Sequence, residues 1–142
     1  MSWWGKTIHH DFRGDRDDHS PFNTVAWFQV GSHEPEQVKA FYQELFGWNF
    51  AQDPNQDGNY DLVTYPGSEM PVGGIAHLDD ASGNHAIFYV LVQDVPEILA
   101  AAEKAGGKVF VQPVTAANGL VFSELLDTSG NRFGIFSPPP AN

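Results

Sequence analysis

Two stretches of the chain share one hydrophobic rhythm. Residues 25–30 (VAWFQV) and 86–92 (AIFYVLV) are short apolar runs rich in β-branched and aromatic side chains, and both predict strands. A polar link and a proline follow each run, Pro35 in the first and Pro96 in the second. Apolar residues at helical spacing come next. In the first copy these are Val38, Phe41, Tyr42, Leu45 and Phe46, with Ser32 as the expected N-cap, Pro35 in the first turn and Gly47 as the stop. In the second copy the helix is expected over Pro96–Ala105, closed by Gly106 and Gly107. Three more short strands follow each helix, over 48–50, 60–65 and 72–77, then over 108–112, 120–126 and 132–136. Pro138–Pro140 cannot continue a ladder and end the pattern. The order βαβββ is therefore written twice. A repeat of about sixty residues is too long for a solenoid unit and predicts two copies of one module packed together.

Alternation along the first strand of each copy assigns the faces. Ala26, Phe28 and Val30 suit the side beneath the helix, leaving Val25, Trp27 and Gln29 on the other. In the second copy Phe88, Val90 and Val92 suit the helix side, leaving Ile87, Tyr89 and Leu91 opposite. The predicted fold is α+β, with two βαβββ modules whose curled mixed sheets surround a cup lined by second-face residues. Module one is expected over 23–78 and module two over 86–138, with a linker at 79–85, all within a single domain spanning 23–142. Residues 1–22 read as an N-terminal arm, flexible or docking, because DFRGDRDDHSP is charged and aperiodic while Trp3 and Trp4 stand near its start.

Charge narrows the ligand class. The formal charge is −11 with seven Lys and Arg, which argues against nucleic acid and favours neutral or cationic small molecules over strongly anionic ones. No apolar stretch is long enough for a membrane span and no signal-peptide core precedes residue 20, so a cytoplasmic protein without membrane contact is expected. The absence of cysteine removes thiolate chemistry and disulfides.

The string FQVGSHEPEQVKAFYQELFGWNF, with DVPEILAAAEKAGGKV and LLDTSGNRFGIF, resembles the vicinal-oxygen-chelate proteins, the superfamily of glyoxalases, bleomycin-resistance proteins and extradiol dioxygenases. The resemblance covers about Thr24–Pro138 and implies paired βαβββ modules. It leaves function broad, since members include lyases, isomerases, epimerases, dioxygenases, antibiotic-modifying enzymes and metal-free drug-binding proteins. It also implies a divalent metal held by His, Glu or Gln on the first and last strand of each module. Those positions fall here at Val25, Gly74, Ile87 and Gly134, none of which can ligate through its side chain. Shifts of one or two residues reach no ligating constellation. Gln29 stands where an Arg would hold a glutathione carboxylate in such members, and Arg132 is the one cation placed to point into the cup.

Other constellations carry less. His77 and His85 flank the linker, with Asp79 and Asp80 beside them, and could serve as acid, base or ligand. Glu69 could reach over a pocket, and Asp15, Asp17, Asp18 and His19 could clip a metal. The segment Asp53–Gly58 imitates the start of a calcium loop, but Thr64 replaces the closing bidentate acid, so a turn-rich hairpin is expected.

These readings lead to one expectation: binding, sequestration or resistance toward an apolar or aromatic small molecule such as an antibiotic or metabolite, with no cofactor. The binding residues are Trp27, Gln29, Gly74, Tyr89, Arg132, Gly134 and Phe136, with Gly74 and Gly134 leaving room on the cup floor. No catalytic residue is assigned and whether a reaction occurs stays open. A homodimer is expected. The alternative is a divalent-metal-dependent lyase, isomerase or dioxygenase with a non-standard site drawn from His77, His85, Glu69 or the arm.

Overall fold

In a computed structural model, which describes residues 20–140, the doubled pattern becomes one open eight-stranded sheet. The first module comprises β1 (Thr24–Ser32), α1 (Pro35–Phe46), β2 (Asn49–Gln52), β3 (Tyr60–Thr64) and β4 (Pro71–His77). The second comprises β5 (His85–Leu91), α2 (Val95–Lys104), β6 (Lys108–Thr115), β7 (Val121–Leu126) and β8 (Arg132–Ser137). The strands lie in the order β2-β3-β4-β1-β5-β8-β7-β6. Within each module the first strand runs parallel to the last, and the modules join edge to edge within the chain through antiparallel β1 and β5. The expected α+β architecture of paired modules is the one observed. The sheet is mixed, curled and not closed, with both helices against one side.

Local chemistry explains the helix limits, with one correction. The N-cap of α1 is Glu34 rather than Ser32, because Pro35 occupies the start of the helix. Ser32 instead closes the preceding turn, its Oγ accepting the Glu34 N–H at 2.9 Å. Gly47 ends α1 with φ 72°, a left-handed value that glycine adopts at little cost. Asp94 caps α2 by accepting the Glu97 N–H at 2.9 Å.

The alternation read along β1 also needs correction. Pairing steps from Val25 opposite Val90 to Trp27 opposite Tyr89, so a bulge absorbs Ala26. Val25 thereby turns to the helix side with Val90, while Trp27 and Gln29 keep the opposite face.

The two helices are held by different means. Beneath α2 an aliphatic core gathers Val92, Val95, Leu99, Leu125 and Ile135, all buried. Helix α1 buries no residue completely. Aromatic stacking and a polar pin secure it, over a sheet face where Val63 and Ile75 are fully buried. Tyr42 stacks on Trp48 with ring centroids 5.0 Å apart, and Phe28 and Phe46 lean on the same indole. Lys39 of α1 reaches Asp61 of β3 at 3.0 Å, and the His77 Nε2–H of β4 donates to Asp61 at 2.7 Å. Burial alone would raise the Asp61 pKa, but the bonds from His77 and Lys39 outweigh it and hold the carboxyl below its ordinary range. Burial likewise opposes the Lys39 charge, yet its bonds to Glu36 and Asp61 leave the ammonium above its ordinary pKa. Phe41, Leu45 and Phe46 remain more than half exposed on α1. Among the described residues no helix is long and apolar enough to cross a membrane.

Candidate functional site

Two glycines decide the floor of the concave face. Gly74 of β4 lies between Gln29 of β1 and Leu62 of β3, and Gly134 of β8 lies between Tyr89 of β5 and Glu124 of β7. A methyl group added to Gly74 would run into the Tyr60 ring, and one added to Gly134 would run into the Tyr89 ring. Each glycine is thus the bed of a tyrosine, a cross-strand aromatic covering the strand glycine. Tyr60 reaches from β3 across β4, and its hydroxyl accepts the indole N–H of Trp27 at 2.9 Å. Tyr89 reaches the opposite way, from β5 across β8, and donates to Glu124 Oε2 at 2.6 Å.

Glu124 is the buried charge of this face. It is 5% exposed, with one oxygen taken by Tyr89 and the other by Arg132 Nε–H at 2.7 Å. The Arg132 guanidinium lies 4.6 Å over the Phe110 ring. A carboxylate with both oxygens bonded tolerates burial that would otherwise be prohibitive. Burial first, then the charge and hydrogen bond of Glu124, push the Tyr89 phenol far above its ordinary pKa. Burial does the same to Tyr60, countered in part by the Trp27 N–H. Both phenols are therefore neutral hydrogen-bonding groups rather than bases at neutral pH.

His85 stands beside Gln29 on the same face. Its Nδ1 lies 2.7 Å from the Gly83 carbonyl oxygen, which calls for an N–H there and leaves the Nε2 lone pair to accept from the Gln29 amide at 3.0 Å. His77 faces the helix side with Asp61, so the two linker histidines lie on opposite sides of the sheet. Asp80 caps the turn of Ala81–Gly83 by accepting from Ser82, and Glu69 is exposed in the link before β4. Asp53 closes a turn by accepting the Asn55 N–H at 2.9 Å, and Asp57 and Gly58 carry the positive φ angles of a tight hairpin. Trp3, Trp4, Asp15, Asp17, Asp18 and His19 lie outside the described residues.

The seven residues expected to bind ligand all belong to the concave side. Trp27, Gln29, Arg132 and Phe136 are partly accessible there, with Phe136 set edge-on to Tyr89 at 6.4 Å. The space expected above Gly74 and Gly134 is occupied by the Tyr60 and Tyr89 rings. Tyr89 itself is sealed at 3% exposure and acts as floor rather than wall. Sequence reasoning passed over Tyr60, Phe110 and Glu124. Glu124 had a signal, a lone carboxylate between apolar neighbours in VFSELL.

A family model described as a glyoxalase-like domain matches residues 27–136. The chain belongs to that family. A glyoxylase-like domain-containing protein of Didymella fabae is 25% identical over 120 residues, covering 81% of this chain and 94% of that protein. Methylmalonyl-CoA epimerase from Mycobacterium tuberculosis superposes with a TM-score of 0.59 at 14% identity, over 85% of this chain and 91% of the other. The Mn(II)-bound glyoxalase from Novosphingobium aromaticivorans superposes with a TM-score of 0.56 at 20% identity, over 83% of this chain and 40% of the other. This glyoxalase-like chain thus spans less than half of that enzyme. At such identities the two structures speak for the fold.

Mn(II) in a relative raises the question of whether these residues suit a metal, and their donor chemistry does not. Glycine occupies both last-strand positions, under aromatic rings, and Glu124 already satisfies Tyr89 and Arg132. Among the described residues no three His, Asp or Glu side chains converge as a metal would require.

Proposed function

We propose that this glyoxalase-like domain binds an apolar or aromatic small molecule, such as an antibiotic or metabolite, on its concave face without a metal ion, and that it sequesters that molecule. The observation behind this reading is the pair of tyrosine rings laid over Gly74 and Gly134, where the family resemblance places metal ligands. The floor is therefore aromatic rather than chelating. Trp27 and Phe110 present further ring surface, and Gln29, His85 and Arg132 supply a few polar contacts, the composition that small-molecule sites favour. Stacking on such rings is worth about 0.5–1.5 kcal/mol beyond burial. Titrating metal-free protein with aromatic antibiotics is expected to quench tryptophan fluorescence saturably, and Trp27→Phe is expected to remove most of that signal. Binding that needs added Mn(II) or Zn(II), or no saturable binding in the whole panel, would overturn the reading.

A second reading, a divalent-metal-dependent lyase, isomerase or dioxygenase, draws support from the Mn(II)-bound relative. With His77 committed to Asp61 on the other side, the candidates left for it among the described residues are His85, with Gln29 beside it, and the exposed Glu69. Stoichiometric metal in untagged protein would favour it.

The proposed protein is a homodimer that seats a second copy on α1. There Phe41, Leu45 and Phe46 are exposed beside the Tyr42–Trp48 stack, an apolar patch of the kind that marks an interface. Sedimentation is expected to show a dimer that Leu45→Glu dissociates, and a wild-type monomer at micromolar concentration would sink the assignment.

A further inference from the structure

Arg132 is held at its Nε by a buried carboxylate, and its two terminal amino groups make no hydrogen bond among the described residues. Neither is cut off from solvent, because no buried side-chain nitrogen lacks a partner. The side chain is 23% exposed and lies along the face of Phe110, itself half exposed. Such an arginine has its orientation fixed in advance and the outer edge of its fork unspent.

A second cation shares its row. Lys108 of β6 lies opposite Leu126 of β7, and Leu126 lies opposite Arg132 of β8, so both cations sit on the same face. Two strand spacings separate their Cα atoms by about 10 Å. The four cations of the described residues are Lys39, Lys104, Lys108 and Arg132, so half of them meet at this corner. Against them stand Glu124, already bonded twice, and Asp127, whose carboxylate accepts the Ser129 and Asn131 amides of its own turn. The corner therefore holds two cations and two carboxylates, with both carboxylates committed to partners and the outer edge of Arg132 open, on a chain of charge −11 and with an exposed aromatic ring beside it.

We infer that the ligand of the concave face is an aromatic molecule bearing one carboxylate-like anion, the anion held by the outer edge of Arg132 with Lys108 and the ring packed on Phe110. The inference rests on the binding reading above and refines it. It runs against the overall charge, which would repel such a ligand, so a preference for the anion has to arise at this corner.

The test compares 2-naphthoate with its uncharged isostere 2-naphthamide by calorimetry on the full chain at low salt. Naphthoate is expected to bind roughly tenfold more tightly. That preference is expected to shrink as salt rises, to fall to roughly threefold in Lys108→Ala, and to vanish in Arg132→Gln. Lys108 is an exposed edge residue, so its variant reports even where loss of the Glu124 partner unfolds the Arg132 variant. Equal binding of the two probes overturns the inference and leaves the binding reading standing. Failure of both to bind overturns the inference and leaves the binding reading to the antibiotic titration. A naphthoate preference untouched by Lys108→Ala and by salt places the anion elsewhere and also refutes the assignment.

Discussion

Replacing Arg132 by methionine is expected to destabilise the protein by roughly 3 kcal/mol, and adding Glu124→Gln to the same chain is expected to restore most of that loss. The asymmetry follows from burial. Glu124 is 5% exposed and has two partners, so removing Arg132 strands a charge with only the Tyr89 hydroxyl. Glutamine in its place keeps an oxygen for Tyr89 and carries no charge to desolvate. The figure is set at the lower end of the range for broken buried pairs because one edge of Arg132 meets solvent. Chemical denaturation of the two single variants and the double variant gives the cycle directly. A double variant no more stable than Arg132→Met would mean that packing, rather than the stranded carboxylate, accounts for the cost.

Asp61→Ala should cost a similar roughly 3 kcal/mol, and its signature is the pH dependence of the difference from wild type. Asp61 of β3 holds both Lys39 and His77 beneath α1, a helix that buries none of its own residues completely. Its carboxyl is held below the ordinary range, so the folded state favours the ionised form. That contribution is complete above about pH 4, the unfolded value, and fades as pH falls through the lower folded value. Lys39 works at the other end. Its pKa is raised, so its share is complete below the unfolded value of 10.5 and fades as pH climbs beyond it through the folded value. The stability gap between wild type and Asp61→Ala should therefore be widest across the neutral range and narrow toward both extremes. A gap constant from pH 3 to pH 8 would show that the ion pair contributes nothing beyond side-chain volume.

Much of the fold was legible because period and punctuation agreed. Pro35 with Gly47, and Pro96 with Gly106–Gly107, bracket apolar residues at helical spacing, and the strands between turn formers could take few other partners. The bulge at the start of β1 was not legible. A bulge consumes Ala26, and nothing in the alternation of VAWFQV distinguishes a regular strand from one that skips a residue. The site was half legible for a related reason. Trp27, Gln29, Arg132 and Phe136 follow from facing alone, whereas the seats at Gly74 and Gly134 depend on which side chain leans across a neighbouring strand. Tyr60 is two residues from Leu62, the partner of Gly74, so its ring arrives diagonally, and pairing in register does not foresee that. Asp61 was hidden because its partners, Lys39 and His77, come from a helix and a strand far apart in sequence.

The tyrosine seats carry an evolutionary consequence. A histidine or glutamate arriving at residue 134 meets the Tyr89 ring, and dislodging that ring leaves Glu124 short of a partner. The reverse order fares no better, since losing Tyr89 first opens a void over Gly134 and unbinds the same carboxylate. Either path to a ligand on β8 passes through a weakened intermediate, so two changes must arrive together. Residue 74 and Tyr60 are coupled in the same manner, with Trp27 as the group left unpaired. Each seat is a ratchet: with glycine and tyrosine settled against each other, a single substitution at either position installs a metal ligand only by stranding a polar group beside it.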